Sequence, residues 1–277
     1  MTTELAEHTP TNRRGGVREY LSASRLNLWL RCPLAFKLRY VDRVPEATTP
    51  SLFIGRLVHQ GLERFYRRRQ LGLETSIDDV TRPLLTSWEE AVSHECVQFA
   101  DSKEEVRARE QVTRLLESYL QQLPPDEPRP LAVETSLSCP LVDPISGEDL
   151  GIPLVGIVDL ILDEDAGALI ADFKTAASRQ PPLEISHEIQ LGCYSYLFRR
   201  MSGQRESALE IRSLVKTKTP QIVFHRFAAR QEIHMRRLFA VIRAYLDDLD
   251  RGQFLYRPGW TCGMCNYRDD HCHGWCG

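Results

Sequence analysis

Apolar and polar positions change period several times along the chain, and each change predicts an element. Over 22–41, SASRLNLWLRCPLAFKLRYV, Leu26, Leu30, Pro33, Leu34 and Lys37 trace one helical face of mainly apolar positions, with Trp29 and Phe36 beside it. Ser22 or Ser24 can cap that helix, and Pro33 ends it and opens another, leaving Cys32 at the joint. The stretch 51–69, SLFIGRLVHQGLERFYRRR, predicts a second helix with Leu52, Leu57, Leu62, Phe65 and Tyr66 as core residues and His59 in its middle. Two further helices are expected over 76–100 and 103–123 and read as scaffold. PPDEPRP, residues 124–130, breaks the helical pattern and leads into extended chain. A strand follows over 131–138 with Glu134 inside it, then a turn at Pro144, Ser146 and Gly147. Next comes GIVDLILDEDAGALIADFKT, residues 156–175, in which apolar runs 157–162 and 168–173 flank a turn-forming segment. That is the pattern of a β-hairpin. Pro181-Pro182 ends the loop after it. A helix over 184–200, strands over 209–217 and 221–227, and an amphipathic helix over 230–251 complete the pattern.

Two acids interrupt the hairpin's apolar runs. Folding it about the middle of the turn sets Asp159 opposite Asp172. Opposed side chains lie roughly 4.5–5.5 Å apart at Cβ, and like charges there are destabilising. A shared divalent cation resolves the conflict, because carboxylate oxygens are what Mg²⁺ and Mn²⁺ prefer. Lys174 lies two positions beyond Asp172, and strand side chains alternate faces, so the two project together. Metal-holding acids beside an ammonium suit phosphodiester hydrolysis: the metal activates water and the lysine steadies the developing charge. The competing reading is a hairpin with solvated charges at its edge. On the following helix, Gln190 and Tyr194 are four apart and share a face. His59, taken alone, reads equally as a satisfied structural residue or as a ligand.

The length of 277 residues allows one large domain or two small ones. A hydrophobic content of 42% and charged content of 26% fit a soluble globular protein. No run approaches the roughly 18 apolar residues of a membrane span. MTTELAEHTPTNRRGG lacks the apolar core of a secretory signal. A cytoplasmic protein with no membrane partner is expected, and the polar residues 1–19 read as a flexible tail. The net charge of −3 does not announce a nucleic-acid binder. Basic residues do cluster at Arg13, Arg14, Arg18, Arg25 and Arg31, and again at Arg64, Arg67, Arg68 and Arg69. Such runs can track phosphates or form a solvated helix face. No phosphate-binding GxxxxGK[ST] loop occurs, so no ATP motor is expected. Cys96, Cys139 and Cys193 are scattered and read as buried and structural. Cys262, Cys265, Cys272 and Cys276 crowd the C-terminus and suggest a metal, and by spacing alone a zinc knuckle with a fourth Cys or a His.

Taken in order, Gly156, Asp159, Asp172, Lys174, Thr175, Gln190 and Tyr194 resemble the core of the PD-(D/E)XK nucleases. The likeness is to the RecB-like branch, where GxxD, DxK(T) and QxxxY succeed one another. GRLVHQGLERF, residues 55–65, resembles the early helix of that branch, whose His is a metal ligand, and Val133-Glu134 weakly matches the acidic position of its first core strand. SASRLNLWLRCPLAF resembles the start of the iron–sulfur members, the AddB nuclease domain and the CRISPR-associated RecB-like exonucleases. In these, one early Cys and three late ones surround a [4Fe–4S] cluster. Cys32 matches the first and Cys262 and Cys265 the CxxC pair. The family has five residues before the last cysteine; here six separate Cys265 from Cys272, and His271 stands in the expected place. Cys272 is favoured as the fourth ligand because thiolate suits Fe–S clusters better than imidazole. Cys276 is the runner-up, and His271 or His273 could serve if the metal were Zn²⁺.

The resemblance covers 20–277 and implies a single α/β domain of restriction-endonuclease-like architecture. Its mixed central sheet would be flanked by helices, with a helical insertion at 76–122 and an Fe–S staple joining Cys32 to 260–277. It implies a metal-dependent DNA exonuclease acting on single-stranded ends in recombination, repair or CRISPR adaptation, with a helicase or integrase as partner. In that scheme His59, Asp159, Asp172 and the Phe173 carbonyl hold Mg²⁺ or Mn²⁺. Lys174 orients the water and stabilises the transition state, and Gln190 and Tyr194 position the DNA strand or Lys174. Aromatic residues and the early arginines would guide the strand. The alternative is a non-catalytic Fe–S DNA-binding subunit of a helicase–nuclease complex, which has no need of Asp159, Asp172 and Lys174 together. A zinc-stabilised nuclease acting on RNA is a third reading.

Overall fold

Capping chemistry starts the first helices where the sequence pattern puts them. The computed structural model describes residues 16–177 and 184–275. Cys276, the Pro181-Pro182 pair and most of the predicted tail lie outside the described residues. Helix α1 (Ala23–Arg31) begins where the Ser22 side chain accepts from the Arg25 N–H. Helix α2 (Pro33–Phe36) opens on Pro33, and extended Cys32 separates the two. One π turn follows at Lys37–Val41. Helix α3 (Pro50–Gln70) is capped by the Thr49 side chain. The next segment forms three helices, not the expected two: α4 (Ile77–Thr86), α5 (Trp88–His94) and α6 (Ser102–Gln122). Pro83 inside α4 withholds a backbone donor, and the Ser87 hydroxyl donates to the Pro83 carbonyl, so the chain turns there.

Strands β1 (Arg129–Val142), β2 (Asp149–Glu164) and β3 (Gly167–Ala176) form an antiparallel meander. Helix α7 (Glu184–Ser202) then carries the chain to β4 (Ala208–Val215), which pairs with β3 in parallel, and β5 (Gln221–Ala228) pairs antiparallel with β4. The five-stranded sheet has the order β1-β2-β3-β4-β5. Helix α8 (Glu232–Arg251) follows, ended by Gly252 at φ 65°. The mixed sheet flanked by helices is the expected architecture.

Period-two alternation sends neighbouring strand residues into two different cores. Ala132, Ile161 and Ile170 pack with residues of α1, α2, α7 and α8. Val133, Leu160, Phe173 and Leu214 pack with α3, α4 and α6. The basic runs are built into this scaffold. Arg25 is buried over the Tyr20 ring, 3.7 Å from its centroid. Arg64, Arg68 and Arg69 bond the Asp79, Glu74 and Glu127 carbonyls, and Arg67 pairs with Glu63. Cys139 and Cys193 are buried as expected, but Cys96 is exposed at φ 51° in the turn after α5. Among the described residues, no helix is long and apolar enough to cross a membrane.

Candidate active site

The hairpin ladder runs from Glu164↔Gly167 to Leu160↔Ala171 and stops there. This is the register predicted by folding about the turn. Beyond it β2 stays with β1 while β3 stays with β4, so the sheet forks, and Asp159 and Asp172 occupy the first positions past the last pair. At a fork, a backbone N–H loses its ladder partner and must find another. Phe173 finds it in Asp159, whose Oδ2 accepts the Phe173 N–H at 2.8 Å. Glu134 stands across from Asp159, between the β1–β2 pairs Val133↔Leu160 and Thr135↔Val158. Three carboxylates thus lie in a row on three adjacent strands.

Two glycines seat the helices against this row. A Cβ on Gly156 would meet Leu197 Cδ1 at 2.7 Å, so glycine lets α7 approach β2. A Cβ on Gly55 would meet Thr175 Oγ1 at 3.1 Å, and that approach brings α3 and His59 to the fork. One turn on, His59 Nδ1 lies 3.6 Å from Asp159 Oδ2. From α7, Gln190 Nε2 donates to Asp172 Oδ1 at 2.8 Å and to the Tyr194 hydroxyl at 2.9 Å. The Tyr194 hydroxyl is 3.4 Å from the same Oδ1. Gln190 and Tyr194 therefore hold Asp172, where Lys174 or a DNA strand was expected. The Lys174 ammonium lies against Asp172 Oδ2, bearing out their shared face, yet that buried oxygen accepts no well-formed hydrogen bond.

Electrostatics show a site with excess negative charge. Burial first, and then the Asp172 charge, hold the Asp159 carboxyl well above the usual range. Burial, with Glu63 adding to it, pushes Glu134 up to about 7. Glu134 also sits at φ 45°, a left-handed conformation that costs a non-glycine residue about 1–3 kcal/mol and concentrates at functional sites. Burial and then the Lys174 charge lower His59, while Asp172 and the Phe173 backbone pull it up. The imidazole is accordingly neutral near pH 7, the form that ligates metals.

Among the described residues, His59, Glu134 and Asp159 form the group whose ligand atoms all lie within 4.8 Å of one another. They line a cleft of about 600 Å³ with Gly55, Thr175 and Lys216. Asp172 lies behind them, 2% exposed, and Phe173 beside it contributes backbone and a ring 6.0 Å from that of His59. A divalent cation fits the donor set: two carboxylates and a neutral imidazole converge, with the Asp172 carboxylate, ion-paired to Lys174, behind them. Glu134 enters this group although its motif match is weak. His187 was missed altogether. It precedes Gln190 by three positions on α7, and both Lys174 and Asp172 act on its charge.

The predicted cysteines also come together. Cys32 sits at the α1–α2 joint, Cys262 in a 3₁₀ turn (Trp260–Met264), and Cys272 at the end of a π turn (Arg268–Cys272). Leu34 N–H donates to the Leu255 carbonyl at 3.2 Å and the Tyr267 hydroxyl to the Val44 carbonyl at 3.3 Å, docking the C-terminal segment on the joint. Burial, then Cys32, Cys265 and Cys262 as charged neighbours, raise the Cys272 thiol.

The family model described as PD-(D/E)XK nuclease superfamily matches residues 20–272. No curated protein matches the chain. Among solved structures, the chain is similar to a candidate exonuclease from Eubacterium rectale, with TM-score 0.54, 12% identity, and coverage of 98% of this chain and 95% of that one. A second structure, SSO0001, aligns with TM-score 0.39 and 18% identity over 91% of this chain and 97% of that one.

Proposed function

The chain belongs to the PD-(D/E)XK nuclease superfamily, and from that premise we propose that it is a divalent-metal-dependent exonuclease of the RecB-like branch, acting on single-stranded DNA ends. The observation that carries this reading is the row of Glu134, Asp159 and Asp172 at the fork, with His59 and Lys174 against it. His59, Glu134 and Asp159, with Asp172 and the Phe173 carbonyl beside them, would hold Mg²⁺ or Mn²⁺. When bound, the cation supplies Lewis acidity to a phosphoryl oxygen and lowers the pKa of water. The Lys174 ammonium meets the negative charge that grows on the phosphoryl oxygens. Gln190 and Tyr194 fix the Asp172 carboxylate through its Oδ1. The neutral His59 leaves a ring nitrogen free of a proton for coordination. A cleft of about 600 Å³ has room for a nucleotide or two of one strand, which supports action at an end. The name given to the Eubacterium rectale protein points the same way.

Residues 20–277 would form one nuclease domain, with 76–122 as its helical insertion. Cys32, Cys262, Cys265 and Cys272 would hold a [4Fe–4S] cluster that clamps the chain's two ends. Iron and labile sulfide, with little zinc, are expected in anaerobically purified protein and should be lost in Cys32→Ser. Recombination, repair or CRISPR adaptation, beside a helicase or integrase, is the setting that the motif resemblance would imply.

The test is cleavage of end-labelled single- and double-stranded DNA with Mg²⁺ or Mn²⁺, with Asp172→Ala alongside. Wild-type protein should shorten single strands, and EDTA or Asp172→Ala should stop it. Equal activity in the two proteins would remove Asp172 from the mechanism. No activity in either would favour a non-catalytic DNA-binding subunit.

A further inference from the structure

One face of α6 is not spent on the core. Arg107, Gln111 and Arg114 recur on it at helical spacing and, with Ser51 and Lys216, line a second cleft of about 540 Å³. Ser51 and Lys216 also line the active-site cleft, so the two clefts share a wall. Lys216 Nζ donates to Ser51 Oγ at 2.6 Å, which fixes its ammonium at that junction. Unlike Arg64, Arg67, Arg68 and Arg69, neither Arg107 nor Arg114 has an ion-pair or hydrogen-bond partner among the described residues. Glu104, the carboxylate in the lining, already accepts the Ala100 N–H.

We propose that this second cleft is a backbone track, in which Lys216, Arg107 and Arg114 bind successive phosphates of the single strand whose end lies in the active-site cleft. The proposal rests on the nuclease reading and names how its substrate is held. Seven residues of α-helix separate the two arginines by about 10 Å along the axis, enough to reach two phosphates. Beyond Lys216 the lining holds no aromatic ring on which a base could stack. Recognition is therefore by charge, blind to sequence and sensitive to salt.

The test is binding of fluorescein-labelled oligothymidylate in EDTA across a salt series. Each phosphate contact to a single strand contributes about −0.7 to the slope of log K against log salt. Arg107→Gln/Arg114→Gln should flatten that slope by about 1.4 and weaken binding about tenfold at moderate salt. Arg107→Lys/Arg114→Lys should keep it. Arg82→Gln/Arg236→Gln removes equal charge from arginines paired with Asp78 and Glu232 outside the track, and should also keep it. An unchanged slope in the Arg107/Arg114 glutamine variant, or an equal loss in the Arg82/Arg236 variant, overturns the track. Binding without metal needs no turnover. A wild type that cleaves DNA while the slope is unmoved loses the track alone; one that never cleaves while the slope flattens keeps the track and loses the enzyme.

Discussion

Two clusters of buried charge meet at Phe173, and they are built in opposite ways. On the ring side, Arg212 is 2% exposed and every guanidinium nitrogen has an acceptor. Nε donates to Glu210 at 2.6 Å, Nη1 to Glu127 at 2.5 Å and to the Tyr66 and Tyr119 hydroxyls at 2.7 Å, and Nη2 to Glu127 at 3.3 Å. The Tyr66 ring stacks on Phe173 at 5.9 Å. On the backbone side, among the described residues, the row of Glu134, Asp159 and Asp172 has one lysine ion pair, that of Lys174 with Asp172. Fully ionised, they leave two negative charges in excess, the charge of one divalent cation. A buried network that satisfies all its members is a structural element, whereas one that lacks a counter-charge is a site awaiting its ion.

The largest expected effects come from breaking each cluster and reading both stability and activity. Asp172→Asn should lower nuclease activity about 10³-fold or more, the several kcal/mol a metal contributes to the transition state, while leaving the metal-free protein at least as stable. Arg212→Met should do the reverse kind of damage. It strands Glu127 and Glu210 in the core and should cost about 3–5 kcal/mol in urea denaturation, with activity lost only as the fold is lost. Activity and unfolding curves measured on both variants sort the clusters; matching stability losses would erase the contrast.

Lys174→Ala should sharpen it further. Removing one preorganised cation costs about 10²–10³ in kcat, and Mn²⁺ affinity should hold or rise because a like charge is gone from the site. A fall in KM with kcat unchanged would place Lys174 outside the chemistry.

A smaller effect is a pH dependence. Glu134 titrates at about 7 when folded, against an ordinary 4.5. Between those values the folded protein keeps a proton that the unfolded chain has released, so stability falls as pH rises through the window and then levels. Asp159 shifts in the same direction. In EDTA, Glu134→Gln should therefore unfold at higher urea than wild type near about pH 8 and match it near about pH 4. Saturating Mn²⁺ should reverse the order at the higher pH. Equal midpoints throughout would mean that Glu134 feels no burial.

How much of this was legible follows from where each signal resides. The hairpin register could be read because its apolar runs are symmetric about a turn, and the ladder to Leu160↔Ala171 honours it. The far half of β2 could not, since Gly151 and Pro153 are residue types that disfavour a strand interior. It is drawn into the sheet by pairing with β1, as at Leu154↔Cys139 and Pro153↔Pro140. Asp159, Asp172 and Lys174 stood out as charges in apolar context. Glu134 and His187 did not, because their roles depend on which strand lies beside which and which helix face turns inward. The basic runs stayed open between a phosphate track and a solvated face for the same reason: sequence shows a charge, not whether Asp79 or Glu127 already engages it. Arg212 carried a usable sign, an arginine inside the apolar run of β4, whose eight residues are all buried.

The most direct measurement is a calorimetric titration of Mn²⁺ into metal-free protein near neutral pH, run in two buffers of different ionisation enthalpy. Saturable binding with a buffer-dependent heat is expected, because Glu134 and Asp159 must give up protons as the ion enters, and Asp159→Asn should abolish it. A wild type that takes up no Mn²⁺, or an Asp159→Asn variant that binds as tightly, would contradict a carboxylate row built to hold a divalent cation.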